Sequence, residues 1–133
     1  MNTENLDKLL NAPVGQVVYV LGKILNSPID IQIVEQNITT SNKFVRRVEI
    51  SANGMQVITA FVEFDSSILP DFILKELLKK NQGIGDILNQ YKIKPSRKII
   101  SVNRNVDENK ISREYEIVID GKVWFSILED IRL

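Results

Sequence analysis

Three ionisable residues stand where a strand pattern calls for apolar side chains: Arg46 in FVRRVEI, Arg113 in ISREYEIVI and Glu129 in VWFSILEDI. Side chains on a strand alternate in direction, so residues two apart share a face. Counted this way, Arg46 joins Phe44, Val48 and Ile50, and Arg113 joins Ile111, Tyr115, Ile117 and Ile119. Glu129 joins Val123, Phe125, Ile127 and Ile131, with Trp124 on the other side. An unpaired charge on an apolar face is costly, so the pattern needs a compensating arrangement. One is an ion pair between Arg46 or Arg113 and Glu129, or strand ends that reach solvent. The other is a closed pocket in which two guanidiniums grip carboxylates in bidentate fashion and a carboxyl group acts as an acid in a dry site. The spacing leaves both open.

Weaker candidates surround these. Arg104, on the Ile100 and Val102 side near a strand end, is a third cation or a solvated one. GIGD at 83–86 offers backbone N–H groups ahead of a helix, the geometry of an anion site and also of an ordinary turn. KPSRK is basic but lacks interleaved aromatics and reads as a solvated edge. Trp124 is expected under a helix and Phe125 in the core.

Composition narrows the chemistry further. The chain has no Cys and no His, which removes thiolate nucleophiles, disulfides and the commonest general base and metal ligand. Chemistry here would run on carboxylates, Arg, Lys, Tyr or hydroxyls. Basic and acidic residues balance at 17 each, so no net field recruits nucleic acid or an acidic membrane. The opening MNTENLDKLLNAP lacks a secretory signal's basic start and apolar centre, and no apolar run nears the roughly 20 residues that span a bilayer. These features predict a soluble cytoplasmic chain with neither a nucleic-acid nor a membrane partner; they say nothing of oligomeric state. With 133 residues, 44% hydrophobic, one domain over 1–133 with one core is expected.

The elements follow from periodicity. Asn2 or Thr3 caps a helix running to Leu10, and Pro13 interrupts it. Segment 14–26 has helical spacing at Val17, Val18, Leu21, Ile24 and Leu25, although its Val-rich first half also suits a strand. Ile29, Ile31 and Ile33 alternate with polar residues as in a half-buried strand over 29–37. Asn53-Gly54 and Asp120-Gly121 join β-rich runs and favour type I′ hairpins. Helices are expected over 69–80 and, after a glycine turn at 83–85, over the following residues, with a strand at 96–105. About six strands, mostly antiparallel, with helices at the N-terminus and between the hairpin halves, make an α+β fold with one sheet.

The order of RRVEISANG, ITAFVEF, GIGDIL, SRKIISV and REYEIVIDGKVWFSILED resembles the chorismate lyase (chorismate–pyruvate lyase) family and its archaeal relatives, from about the second helix onward. That resemblance implies an antiparallel sheet backed by helices, an internal ligand cavity under helical flaps, and cleavage of chorismate to 4-hydroxybenzoate and pyruvate without metal or organic cofactor. The same fold serves effector-binding (UTRA-type) domains of some transcription regulators, which bind small molecules without chemistry; the alternative for this chain is such a non-catalytic module, taking an aromatic or dicarboxylic acid. Position by position, the resemblance implies Arg46 and Arg113 as carboxylate ligands, Ile84-Gly85 as backbone contacts to the bound acid, and Glu129 as catalytic acid. Two positions depart from the family: counted from Gly121, the glutamate falls one residue late, where the lyases would match Leu128, and Phe61 replaces a polar residue after Ala60.

Overall fold

The computed structural model of the chain describes residues 1–132. Helix α1 (Thr3–Leu10) is capped by Asn2, whose side-chain oxygen accepts from the Asn5 N–H at 2.7 Å. The ambiguous second segment is a helix, α2 (Val17–Leu25), and ends at Asn26 in the left-handed conformation, φ 47°. Such a residue releases the chain from the helix while its N–H still bonds back, here to the Gly22 carbonyl.

Six strands follow: β1 (Ile29–Thr40), β2 (Lys43–Ala52), β3 (Met55–Asp65), β4 (Ser96–Asn105), β5 (Lys110–Ile119) and β6 (Lys122–Arg132). Helices α3 (Asp71–Leu78) and α4 (Ile84–Gln90) separate the first three strands from the last three. All strands join one sheet in the order β1-β2-β3-β6-β5-β4, and each neighbouring pair is antiparallel. Two meanders therefore meet at β3 and β6. Both predicted tight turns are present, with φ of 51° and 76° at Asn53-Gly54 and at Asp120-Gly121. The α+β architecture expected from the sequence is the one observed.

The helices cover one face of the sheet. Leu6, Leu9, Leu21, Ile73, Leu77, Ile87 and Leu88 pack in one cluster with Val48, Ile50, Ile58, Val62, Ile117, Phe125 and Ile127. Burial of this apolar surface is the main force holding helices to sheet, at about 1.5–3 kcal/mol per large side chain before entropy is counted. Helix α3 turns Ile73, Glu76 and Leu77 inward and leaves Phe72 and Leu78 exposed.

Three of the five register shifts among the sheet's described residues decide where the residues around the candidate site face. Each inserts one residue opposite none, and so exchanges inside for outside beyond it. In β1 the extra residue is Val34, between Ile33 (opposite Val48) and Glu35 (opposite Arg47), which brings Gln36 inside, opposite Arg46. In β4 it is Ile100, between Ile99 (opposite Tyr115) and Ser101 (opposite Glu114). In β6 it is Trp124, between Val123 (opposite Val118) and Phe125 (opposite Ile117). The third corrects two expectations. Val123 is 38% exposed rather than on the core face. Trp124 is half-buried against the core cluster, in a recess shared with Phe44, Val45, Phe64 and Ser126 to which no helix contributes a residue, rather than under a helix.

Candidate functional site

Arg46, Arg113 and Glu129 all point into the helix-covered side and are 0%, 2% and 5% exposed. The strand parity therefore located them correctly. They do not form one constellation, however: Arg113 and Glu129 are paired with each other, while Arg46 is tied to a different part of the scaffold.

Arg46 spends its donors on the frame. Its Nε donates to Gln36 Oε1 at 2.7 Å, its Nη2 to the Leu77 carbonyl at 2.9 Å, and its Nη1 to the Gln82 carbonyl at 2.8 Å. Gln36 Nε2 also donates to the Leu77 carbonyl, at 3.0 Å. The last turn of a helix exposes carbonyls without partners, and a guanidinium answers them well. Arg46 thus fastens β2 to the end of α3 and to the segment entering α4. Burial pushes its pKa down to about 10.

Arg113 is the centre of a second group. Its Nε donates to Glu129 Oε1 at 2.5 Å, across the directly opposed β5 and β6 positions, and its Nη1 donates to the Leu10 carbonyl at the end of α1 at 2.9 Å. The Tyr115 hydroxyl donates to the other Glu129 oxygen at 2.7 Å. Both Glu129 oxygens are therefore hydrogen-bond acceptors, and the charge of Arg113 is met within the pair. Arg113 Nη2 is buried without a hydrogen-bond partner.

A residue the sequence did not flag completes the group. Arg97, from β4, places its guanidinium over the Tyr115 ring, 4.9 Å from the centroid, and Arg113 does the same at 4.9 Å. Its Nη1 donates to the Ala12 carbonyl at 2.8 Å, while its Nε is buried without a partner. The bulge at Ile100 explains why Arg97 escaped notice. It places Arg97 and Arg104, seven positions apart and of opposite parity, opposite Ile117 and Ile111, both core-facing residues of β5. Arg104 is exposed at the strand's far end. Burial lowers the pKa of Arg97, and burial first and Glu129 second raise that of Tyr115.

Beside this group lies a cavity of about 110 Å³ between the sheet, α2 and the start of α4. Its walls are mainly apolar, including Val18, Ile31, Val62, Ile117 and Ile127, and its polar side chains are Arg97, Tyr115, Glu129 and Asp86. Ile84, Gly85 and Glu129 of the predicted set lie on its wall; Arg46 and Arg113 do not. Asp86 is exposed, so the cavity reaches solvent at the first turn of α4.

The GIGD segment owes its glycines to packing rather than to a turn. Gly83 and Gly85 have no positive φ. A Cβ on Gly85 would sit 2.4 Å from the Gly15 Cα and 2.6 Å from its nitrogen, so the α1–α2 loop and α4 touch backbone to backbone. Gly15 itself needs φ +88°. This contact closes the cavity's helical side. Among the described residues no group of three or more carboxylates is placed to hold a metal ion, and no helix is long and apolar enough to cross a membrane.

Solved structures share the fold. One, described as the ligand-binding domain of a proposed GntR-family transcriptional regulator from Bordetella bronchiseptica, superposes with a TM-score of 0.51 at 9% identity, covering 77% of this chain and 85% of that one. Another, YydK of Bacillus subtilis, proposed as a transcriptional regulator, has a TM-score of 0.56 at 10% identity over 80% of this chain and 59% of that one. The chain thus spans about three fifths of YydK's length. No protein-family model matches the chain, and no curated protein matches it. At such identities the likeness speaks to fold: the chain has the architecture of GntR-type ligand-binding (UTRA-type) domains.

Proposed function

We propose that the chain is a small-molecule-binding module that takes a carboxylic acid with an apolar body into the cavity between sheet and helices and does no chemistry on it. The observation that carries this reading is the composition of the wall: apolar on most sides, with one arginine, Arg97, that forms no ion pair among the described residues. The ligand-binding domains that share the fold support binding as the role.

A second reading is chorismate cleavage, with Glu129 as acid, Arg46 and Arg113 holding carboxylates, and Ile84-Gly85 contacting the bound acid. What favours it is the bulge at Trp124: the extra residue between Gly121 and Glu129 is absorbed there, and Glu129 rather than Leu128 lies on the cavity wall. Three features weigh the other way. A general acid must carry a proton, whereas Glu129 accepts from both Arg113 and Tyr115. Arg46 has all three of its donor atoms bonded to the frame. Chorismate, with one carboxylate on its ring and one on its enolpyruvyl arm, is larger than this cavity of about 110 Å³.

Incubating the protein with chorismate while following 4-hydroxybenzoate, alongside thermal melts with 4-hydroxybenzoate added, separates the two. Binding without catalysis predicts a raised melting temperature and no product. Product that forms with the wild type and disappears in Glu129→Gln would replace the binding reading with the lyase.

A further inference from the structure

We infer that Arg97 is the charge anchor of the cavity and Asp86 its charge filter, so that the site selects compact monocarboxylates over uncharged and doubly charged molecules of the same body. The inference rests on the binding reading and names its ligand class.

The size of the body comes from the space. An engineered dry cavity of about 150 Å³ accepts benzene; the cavity here, at about 110 Å³, has room for one ring or a short branched chain.

The charge comes from an account of the polar groups on the wall. Glu129 is matched by Arg113 and Tyr115 and brings no net demand for a counter-ion. Arg97 forms no ion pair among the described residues; one of its N–H groups serves the Ala12 carbonyl and its buried Nε serves nothing. That Nε is shielded from the cavity as well as from solvent, so what the wall offers is a guanidinium charge with no carboxylate partner, and a carboxylate is the acceptor that answers it. The Tyr115 ring beneath it and the Ala12 carbonyl hold the guanidinium in place, so a carboxylate would meet a preorganised charge.

Asp86 supplies the limit. It lines the same cavity at its solvent end and forms no ion pair with Arg97 or any other described residue. A second carboxylate on the ligand would extend from the filled cavity toward it, and like charges at close range disfavour the complex. Selectivity of this kind comes from a repulsive group as much as from an attractive one.

Calorimetric titration at neutral pH with benzoate, benzamide and terephthalate tests the assignment. Benzamide keeps the shape of benzoate without its charge, and terephthalate adds a second charge on the side of the ring away from the first. Wild type should bind benzoate at least tenfold more tightly than either. Arg97→Gln should bring the benzoate-to-benzamide ratio near one, Arg97→Lys should restore part of it, and Asp86→Asn should improve terephthalate binding several-fold. The ratio reports on charge recognition, because a variant that merely loosens the Ala12 tether would weaken both ligands alike. Equal binding of benzoate and benzamide by wild type, or a ratio unmoved by Arg97→Gln, would overturn the anchor; terephthalate as tight as benzoate or tighter would overturn the filter. Binding of none of the three probes would instead overturn the binding reading itself.

Discussion

Arginines on an apolar face can hold a ligand or hold the protein, and their hydrogen bonds distinguish the two. Arg46 serves Gln36, Leu77 and Gln82, so Arg46→Met should cost about 3–5 kcal/mol by leaving buried acceptors unmet. Urea unfolding measures this, and folded variant should bind benzoate nearly as wild type does. A variant of undiminished stability that loses the ligand would return Arg46 to the binding site. Glu129→Gln should destabilise by a similar ~3–5 kcal/mol, because Arg113 is then a buried cation without its partner. Tyr115 makes a pH prediction. Burial and Glu129 raise its pKa above the unfolded value near 10, so the folded state keeps a proton that the unfolded chain releases. Stability from this group is whole below about pH 10 and falls as pH rises beyond it. Unfolding measured from pH 9 to 11 should show a shallower alkaline loss in Tyr115→Phe than in wild type.

Strand pairs and helices carry the next level. The hairpin turns were legible because Asn-Gly and Asp-Gly suit paired positive φ, and the strand faces were legible wherever the strands are regular, which located Arg46, Arg113 and Glu129. Parity fails at a bulge, and a bulge has no strong sequence signature. For that reason Gln36 and Arg97 were missed on the inner face, and Val123 was misplaced. A contact such as Gly15 on Gly85 joins a loop to a helix far apart in the chain and has no local signal; each glycine reads in isolation as a turn. The contact predicts that Gly85→Ala, by forcing backbones apart, destabilises by roughly 1–3 kcal/mol and weakens benzoate binding, since the displaced loop carries Val14 and Gly15 of the cavity wall. Denaturant midpoints and calorimetry on the same variant would check both effects. Unchanged values would mean that the two segments separate freely.

At the scale of the molecule, two antiparallel meanders meet at β3 and β6, and the helices close only one face. The cavity draws its wall from both meanders, from α2 and from α4, so ligand binding should couple to global stability rather than to one loop. Saturating ligand at a hundred times its dissociation constant should add about 2.7 kcal/mol to unfolding free energy. The central claim is that this interior cavity is the place where a small acid binds. A benzoate titration followed by amide chemical shifts tests it most directly. Saturable shifts gathered at Gly15, Ile84, Gly85, Arg97, Ile117 and Ile127 are the predicted result; no saturable shift, or shifts gathered on the open face around Phe61 and Leu128, would contradict it.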